Sequence, residues 1–198
     1  MAYASVGMMY PVFAPFVSHT DGSMPTYGTG RVIQEARNAG INKTYANNPL
    51  YGDDRIVDDD NSLVELAINF ESTGLSNEDR QVVLGEELNA NTATGGQWES
   101  DSATPYGGFG YIAKMRDDGT RKWEAWIILK IKFQEESQTT NTKEGSIQWN
   151  TPTLNGRAAA VVIDSTGKNR FRIHETFDTI AAAKSWINSV LNVSAATT

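Results

Sequence analysis

A mainly β fold, with two packed antiparallel sheets in a sandwich or barrel-like arrangement plus one flanking helix and one C-terminal helix, is predicted by three features of this sequence. The first is alternation: Leu66, Ile68 and Phe70 interleave with Glu65, Ala67, Asn69 and Glu71, the period of a half-buried strand. The second is a longer run of the same kind, in which Trp123, Ala125, Ile127, Leu129, Ile131 and Phe133 alternate with Lys122, Glu124, Lys130, Lys132 and Gln134. Trp126 and Ile128 break the polar side of that run and imply that its second face is partly covered. The third is that helix signals occur in only two short segments, so stacking two sheets is the economical way to bury the strands.

Taken in order, Met1 to Thr20 contains no Asp, Glu, Lys or Arg. A signal peptide needs a basic region ahead of its apolar core, and none is present. Pro11 and Pro15 each remove a backbone donor and bar a membrane helix. The expectation is an extended arm over about residues 1–28, whose Tyr10, Val12, Phe13, Phe16 and Val17 pack on a surface of the same subunit or of a neighbour. Residues 31–46 read as strand or extended chain. Ser76-Asn77-Glu78-Asp79 has the form of a capping box, and the helix it opens runs through Val82, Val83 and Leu84 to Gly85, a natural left-handed cap.

Further along, Tyr111, Ala113 and Met115 alternate with Lys114 and Arg116, and Asp117-Asp118-Gly119-Thr120 predicts a tight hairpin into the long strand. A second hairpin is expected where Ile147-Gln148-Trp149 meets Ala159-Val161-Ile163 across Asn155-Gly156. A third turns at Ser165-Thr166-Gly167-Lys168 into Phe171-Arg172-Ile173. The last helix, over about 178–192, presents Ile180, Ala183, Ile187, Val190 and Leu191 as one stripe with Trp186 near its edge. Three polar stretches, at about 47–61, 89–105 and 135–145, read as long loops, which in one domain serve function or order against a partner.

The chain has 198 residues, the length of a single domain. It has no cysteine, which removes disulfides, thiolate metal sites and a cysteine nucleophile. A net charge of −7 opposes binding of nucleic acid by phosphate neutralisation. Residues 1–100 carry 14 acidic against 5 basic side chains, and residues 101–198 carry 10 against 12. An acidic half joined to a mildly basic half suits one face of a subunit meeting the opposite face of the next, although scattered surface charge yields the same count.

Catalytic signatures are weak. Only His19 and His174 are available, and no Gly-x-Ser-x-Gly elbow accompanies them. Asp53, Asp54, Asp58, Asp59 and Asp60 form an acidic run that suits a solvated loop, an electrostatic lining or a hard cation. An EF-hand frame begun at Asp58 fails, because Leu63 stands where glycine is required and Asn69 where glutamate is required. No phosphate-binding glycine motif occurs, since Tyr106-Gly107-Gly108-Phe109-Gly110 leads into a strand instead of a helix. Those glycines read as a place of close approach. Of the five tryptophans, Trp123 and Trp149 fall on apolar strand faces and read as core, Trp186 lies on the last helix, and Trp98 and Trp126 are the pair that a sugar platform would need exposed.

Several segments together resemble the major tail proteins of bacteriophages with long non-contractile tails. They are Tyr10-Pro11-Val12-Phe13-Ala14-Pro15, Leu50-Tyr51-Gly52-Asp53-Asp54-Arg55, Leu75-Ser76-Asn77-Glu78 with Gly85, and Pro105 through Tyr111. Arg121-Lys122-Trp123-Glu124-Ala125, Ile147-Gln148-Trp149-Asn150-Thr151-Pro152, and Phe177-Asp178-Thr179 with Ala183 and Trp186 complete the set. They keep the family order over nearly the whole chain, and none is a catalytic motif.

The resemblance implies a tail-tube fold and a structural virion protein, not an enzyme, with no cofactor and no metal. It implies hexameric rings stacked into a hollow tube in the virion tail, assembled in the host bacterial cytoplasm. The expected partners are further copies of the chain, a tape-measure protein, and tail-tip and tail-terminator proteins. Double-stranded DNA would pass without specific binding, and no membrane is involved. Some relatives carry an immunoglobulin-like domain after the tube domain, and the stop soon after Asn192-Val193-Ser194 predicts that it is absent here. In this picture the five aspartates lie at the lumen or in a stacking loop. The alternative is a carbohydrate-binding β-sandwich, and an acid-dependent hydrolase stands a distant third.

Overall fold

The computed structural model describes residues 4–33, 36–88, 97–98, 103–117, 120–135 and 151–194. In chain order the strands are β1 (Ala4–Ser18), β2 (Thr26–Tyr27), β3 (Arg31–Val32), β4 (Ala36–Tyr45), β5 (Asn48–Gly52), β6 (Arg55–Asp60) and β7 (Leu63–Ser72). Helix α1 (Asn77–Leu84) follows, then β8 (Glu87–Leu88), β9 (Gln97–Trp98), β10 (Gly107–Asp117) and β11 (Thr120–Glu135). The chain continues through β12 (Thr153–Ala158) and β13 (Arg172–Phe177) to α2 (Ile180–Val190). Nine strands form one antiparallel sheet with the path β2-β1-β10-β11-β12-β7-β4, to which β3 adds on β1 and β13 on β11. The expected mainly β, antiparallel fold with two helices is therefore the observed one.

One long sheet encloses two cores because β11 changes partners halfway. Its first half pairs with β13 (Trp123↔Phe177 to Ile128↔Arg172) and its second with β12 (Ile131↔Ala158 to Glu135↔Leu154). A bulge lies between, where Ile128 to Ile131 on β11 faces only Phe109 to Gly107 on β10. The extra residue reverses the inward parity. Ala125 and Ile127 thus belong to one apolar cluster, while Ile128, Ile131 and Phe133 belong to the other. The two apolar residues on the otherwise polar face, Trp126 and Ile128, are the sequence trace of this double burial.

The first cluster is wrapped by the curled sheet and holds Phe13, Leu66, Ile68, Phe70, Phe109, Phe133 and Leu154. Phe109 sits at its centre, with ring centroids 5.2 Å from both Phe70 and Phe133. The curl nearly closes, since β3 hydrogen-bonds to β1 at one end of the sheet and leads within a few residues into β4 at the other. The second cluster lies on the outer face of β1, β10 and β11, where α2 packs Ala183, Ile187 and Leu191 against Val12, Ala14, Ile112 and Ile127. A Cβ on Gly107 would lie 2.1 Å from the Phe13 ring, so that glycine makes room for the aromatic core.

Both helices form as their caps dictate. Ser76 accepts from Asp79 N–H while the Asp79 carboxylate accepts from Ser76 N–H, and α1 ends at Gly85 with φ of 76°. Arg31 Nε bonds Asp79 at 2.7 Å and Arg80 grips Glu135 with two hydrogen bonds of 2.6 and 2.9 Å, fixing α1 over the sheet. The Glu135 carboxylate holds the Arg80 guanidinium still higher than its ordinary pKa.

Three expectations are corrected, and one alternative is chosen: the extended segment within residues 1–28 packs on its own subunit, as β1, with Val12 and Phe13 completely buried in this chain's own clusters. Burial on both faces explains the absence of charge there, and Pro11 fits because it lies at a bulge beside Tyr10, whose φ is +57°. Residues 47–61 are not an irregular loop but contain the β5–β6 hairpin. Asn155-Gly156 is not a turn; it lies inside β12, where a Cβ on Gly156 would be 2.6 Å from Ile131 Cδ1. The expected third strand pair reduces to one bridge, Val161↔Arg170, and β13 pairs with β11 instead. Ile147-Gln148-Trp149, most of the stretch 89–105 and all of 135–145 beyond Glu135 lie outside the described residues.

Two tyrosines tie the cores to alkaline stability. Tyr27 donates to Leu129 O at 2.6 Å, and burial raises its pKa far above the ordinary value. Burial likewise pushes Tyr111 up to about 12. Unfolded tyrosines lose their proton near pH 10, so the folded state keeps two protons that the unfolded chain releases. Their contribution to stability is complete below about pH 10 and is lost as pH rises from there through 12. A spectroscopic titration should show a late tyrosinate phase that coincides with unfolding and disappears in the Tyr27→Phe, Tyr111→Phe variant; a single step near pH 10 would contradict this burial.

Candidate assembly surface

The strongest surface feature grows out of β4 and β7. Their ladder runs from Ala36↔Ser72 to Tyr45↔Leu63, continues through the bond from Ala46 N–H to Ser62 O (2.8 Å), and passes into β5–β6. Gly52 pairs with Arg55, leaving Asp53 and Asp54 as a two-residue turn with φ of 49° and 59°. Positive φ at both positions is the geometry that matches strand twist, and aspartate tolerates it better than most residues. At about 3.3 Å per residue, the part beyond Tyr45 and Leu63 is roughly 25 Å long.

This hairpin is solvated along its length. Asp53 to Asp60 are all exposed, and so are Leu50 (62%), Tyr51 (66%), Ile56 (58%) and Val57 (61%). Tyr51 faces Ile56 across the ladder, and Leu50 faces Asp58. Valine, isoleucine and tyrosine favour strands, which holds the two chains together, but a two-stranded ribbon alone is marginal in water. Tyr51 and Ile56 share one face of the ribbon and Leu50 lies on the other, so apolar side chains are exposed on both faces of an element that has no core of its own.

The five predicted aspartates are brought onto one element without converging. Asp53 and Asp54 occupy the tip, while Asp58, Asp59 and Asp60 lie along the returning strand. Their carboxylates serve local bonds: Asp58 accepts from Asp59 N–H at 2.9 Å, Asp59 from Asn61 Nδ2 at 2.8 Å, and Asp60 from Ser62 N–H at 3.0 Å. Among the described residues no three His, Cys, Asp or Glu side chains gather as a metal ion requires. Of the proposed arm residues, Val17 is exposed, Tyr10 and Phe16 are half-buried, and Val12 and Phe13 are core.

Sequence reasoning missed the exposure of Leu50, Tyr51, Ile56 and Val57 on a paired ribbon. The available signal was a pair of β-prone dipeptides, Leu50-Tyr51 and Ile56-Val57, on either side of residues that accept a left-handed turn. The other candidates lead elsewhere. His19 Nε2 lies 3.0 Å from Val162 O, and His174 stacks on Trp126 with centroids 4.2 Å apart. The Arg172 guanidinium lies 4.0 Å from the same Trp126 ring, so that tryptophan is engaged by two side chains and offers no open platform for a sugar. No family model matches the chain, and no curated protein matches it.

Proposed function

We propose that this protein is a structural subunit that associates with copies of itself into stacked hexameric rings, the tail tube of a long non-contractile bacteriophage tail through which DNA passes. The observation that carries self-association is the solvated β5–β6 hairpin, which holds four large apolar side chains away from either core. Among the described residues nothing in the chain's own barrel covers them, and contact with another molecule removes them from water. The ring, the tube and the partner proteins rest on the ordered sequence resemblance. The net charge of −7 is compatible with a conduit for DNA, since like charge opposes adsorption.

Electron microscopy of the purified protein across a concentration series, with and without the tail-tip complex of its phage, tests this reading. Rings or stacked hollow tubes are expected. A monodisperse monomer at every concentration, with the initiating complex present, would reject it.

A further inference from the structure

We infer that the acidic hairpin of one copy seats in a basic groove on the barrel of the next, so that the contact is heterologous and repeats head to tail. The inference rests on the self-association proposed above and names the receiving surface. That surface is a groove of about 640 Å³ on the outward face of β4, β7, β12 and β11, bordered by Asn42, Asn155, Arg157, Gln134, Lys132 and Tyr106.

Lys132 lines the groove, and Lys130 flanks it beside the Tyr106 ring. Lys130 and Lys132 lie 4.7 and 4.3 Å from the Tyr106 ring centroid, and Lys130 also lies 4.7 Å from that of Phe16. Among the described residues neither lysine meets a carboxylate within ion-pair distance. Arg157 adds a third charge, held 3.1 Å from Glu65. Beside them, Tyr106 is 38% exposed, and Ala67, Ala158 and Ala159 add apolar lining. The receiving surface thus offers cations beside apolar and aromatic groups, the complement of a hairpin that offers aspartates beside Leu50, Tyr51, Ile56 and Val57.

The same chain does not close this contact. Ala67 of β7 borders the groove, and the path along the strand from Ala67 to Asp59 is about 26 Å. No hairpin residue lines the groove, and Asp53 to Asp60 are all exposed. Donor and acceptor therefore sit at separated places on one molecule. That is the arrangement that closes into a ring or grows as a filament when copies satisfy one another.

Two charge-reversed variants test the contact. One carries Asp58→Lys and Asp59→Lys, chosen because Asp53 and Asp54 occupy left-handed turn positions where lysine would strain the hairpin. The other carries Lys130→Glu and Lys132→Glu. Each alone is expected to lose the assemblies that the unaltered protein forms by electron microscopy and sedimentation. An equimolar mixture is expected to regain them, because the lysine hairpin meets the glutamate groove while the native hairpin meets the native groove. Recovery in the mixture also shows that both variants fold. If the unaltered protein assembles but the mixture does not, or if either variant assembles alone as well as the unaltered protein, the groove is not the receptor and self-association stands. If the unaltered protein never assembles, both readings fall together.

Discussion

Replacing Phe109 by alanine is expected to lower the free energy of unfolding by about 3–5 kcal/mol, the largest single-residue effect on stability that the fold predicts. The ring is fully buried and packs edge-on against Phe70 and Phe133, each with centroids 5.2 Å away. Tyr111 approaches it at 6.0 Å. Because these neighbours come from different strands of a closely wrapped sheet, they cannot all collapse into the space left behind. The cost therefore includes a cavity as well as the lost transfer energy. For a domain stable by about 5–15 kcal/mol this is a large fraction, and a fall in Tm of roughly 10 °C is expected. Val17→Ala, on an exposed side chain, should stay within about 0.5 kcal/mol and serves as the control. Thermal and urea unfolding followed by circular dichroism distinguishes the two. An unchanged midpoint for Phe109→Ala would mean that the sheet does not close around this ring.

The parts legible in the sequence are those where one physical rule acts alone. The capping box at Ser76 and Asp79 with the stop at Gly85 is local chemistry, and α1 follows it residue for residue. Leu66, Ile68 and Phe70 alternate because one face of β7 is inside, and all three are buried. Where two rules compete, the reading fails. Pro11 and Pro15 argue against regular structure, yet β1 accepts Pro11 because a bulge there removes the need for a donor, and burial on both faces rewards an uncharged run. Asn155-Gly156 carries a turn signature, but in β12 the glycine is used for the room that Ile131 and Ile68 need around it. The bulge in β11 was visible only as the mismatch at Trp126 and Ile128. The acidic run was legible as exposed charge, whereas the ribbon that carries it depends on pairing between residues whose apolar side chains gain nothing from their own core.

That last point yields the second large effect. A variant with Tyr51→Thr and Ile56→Thr is expected to lose self-association while unfolding at the same temperature as the unaltered protein when both are diluted to monomers, so that assembly does not itself raise Tm. The two side chains face each other across the β5–β6 ladder, and threonine retains the preference for strand, so the hairpin keeps its shape. Both lie outside the two apolar clusters, and both are more than half exposed in the single chain. Removing them takes nothing from the barrel. In an assembled contact each would be worth about 2 kcal/mol on burial, so the pair accounts for about 4 kcal/mol, or roughly a thousandfold in each association step. Sedimentation velocity over a concentration series reads the association, and differential scanning calorimetry reads the fold. A lowered unfolding temperature would make the hairpin part of the barrel's own stability. Undiminished association would remove the hairpin from the interface and leave the exposed apolar ribbon without a use.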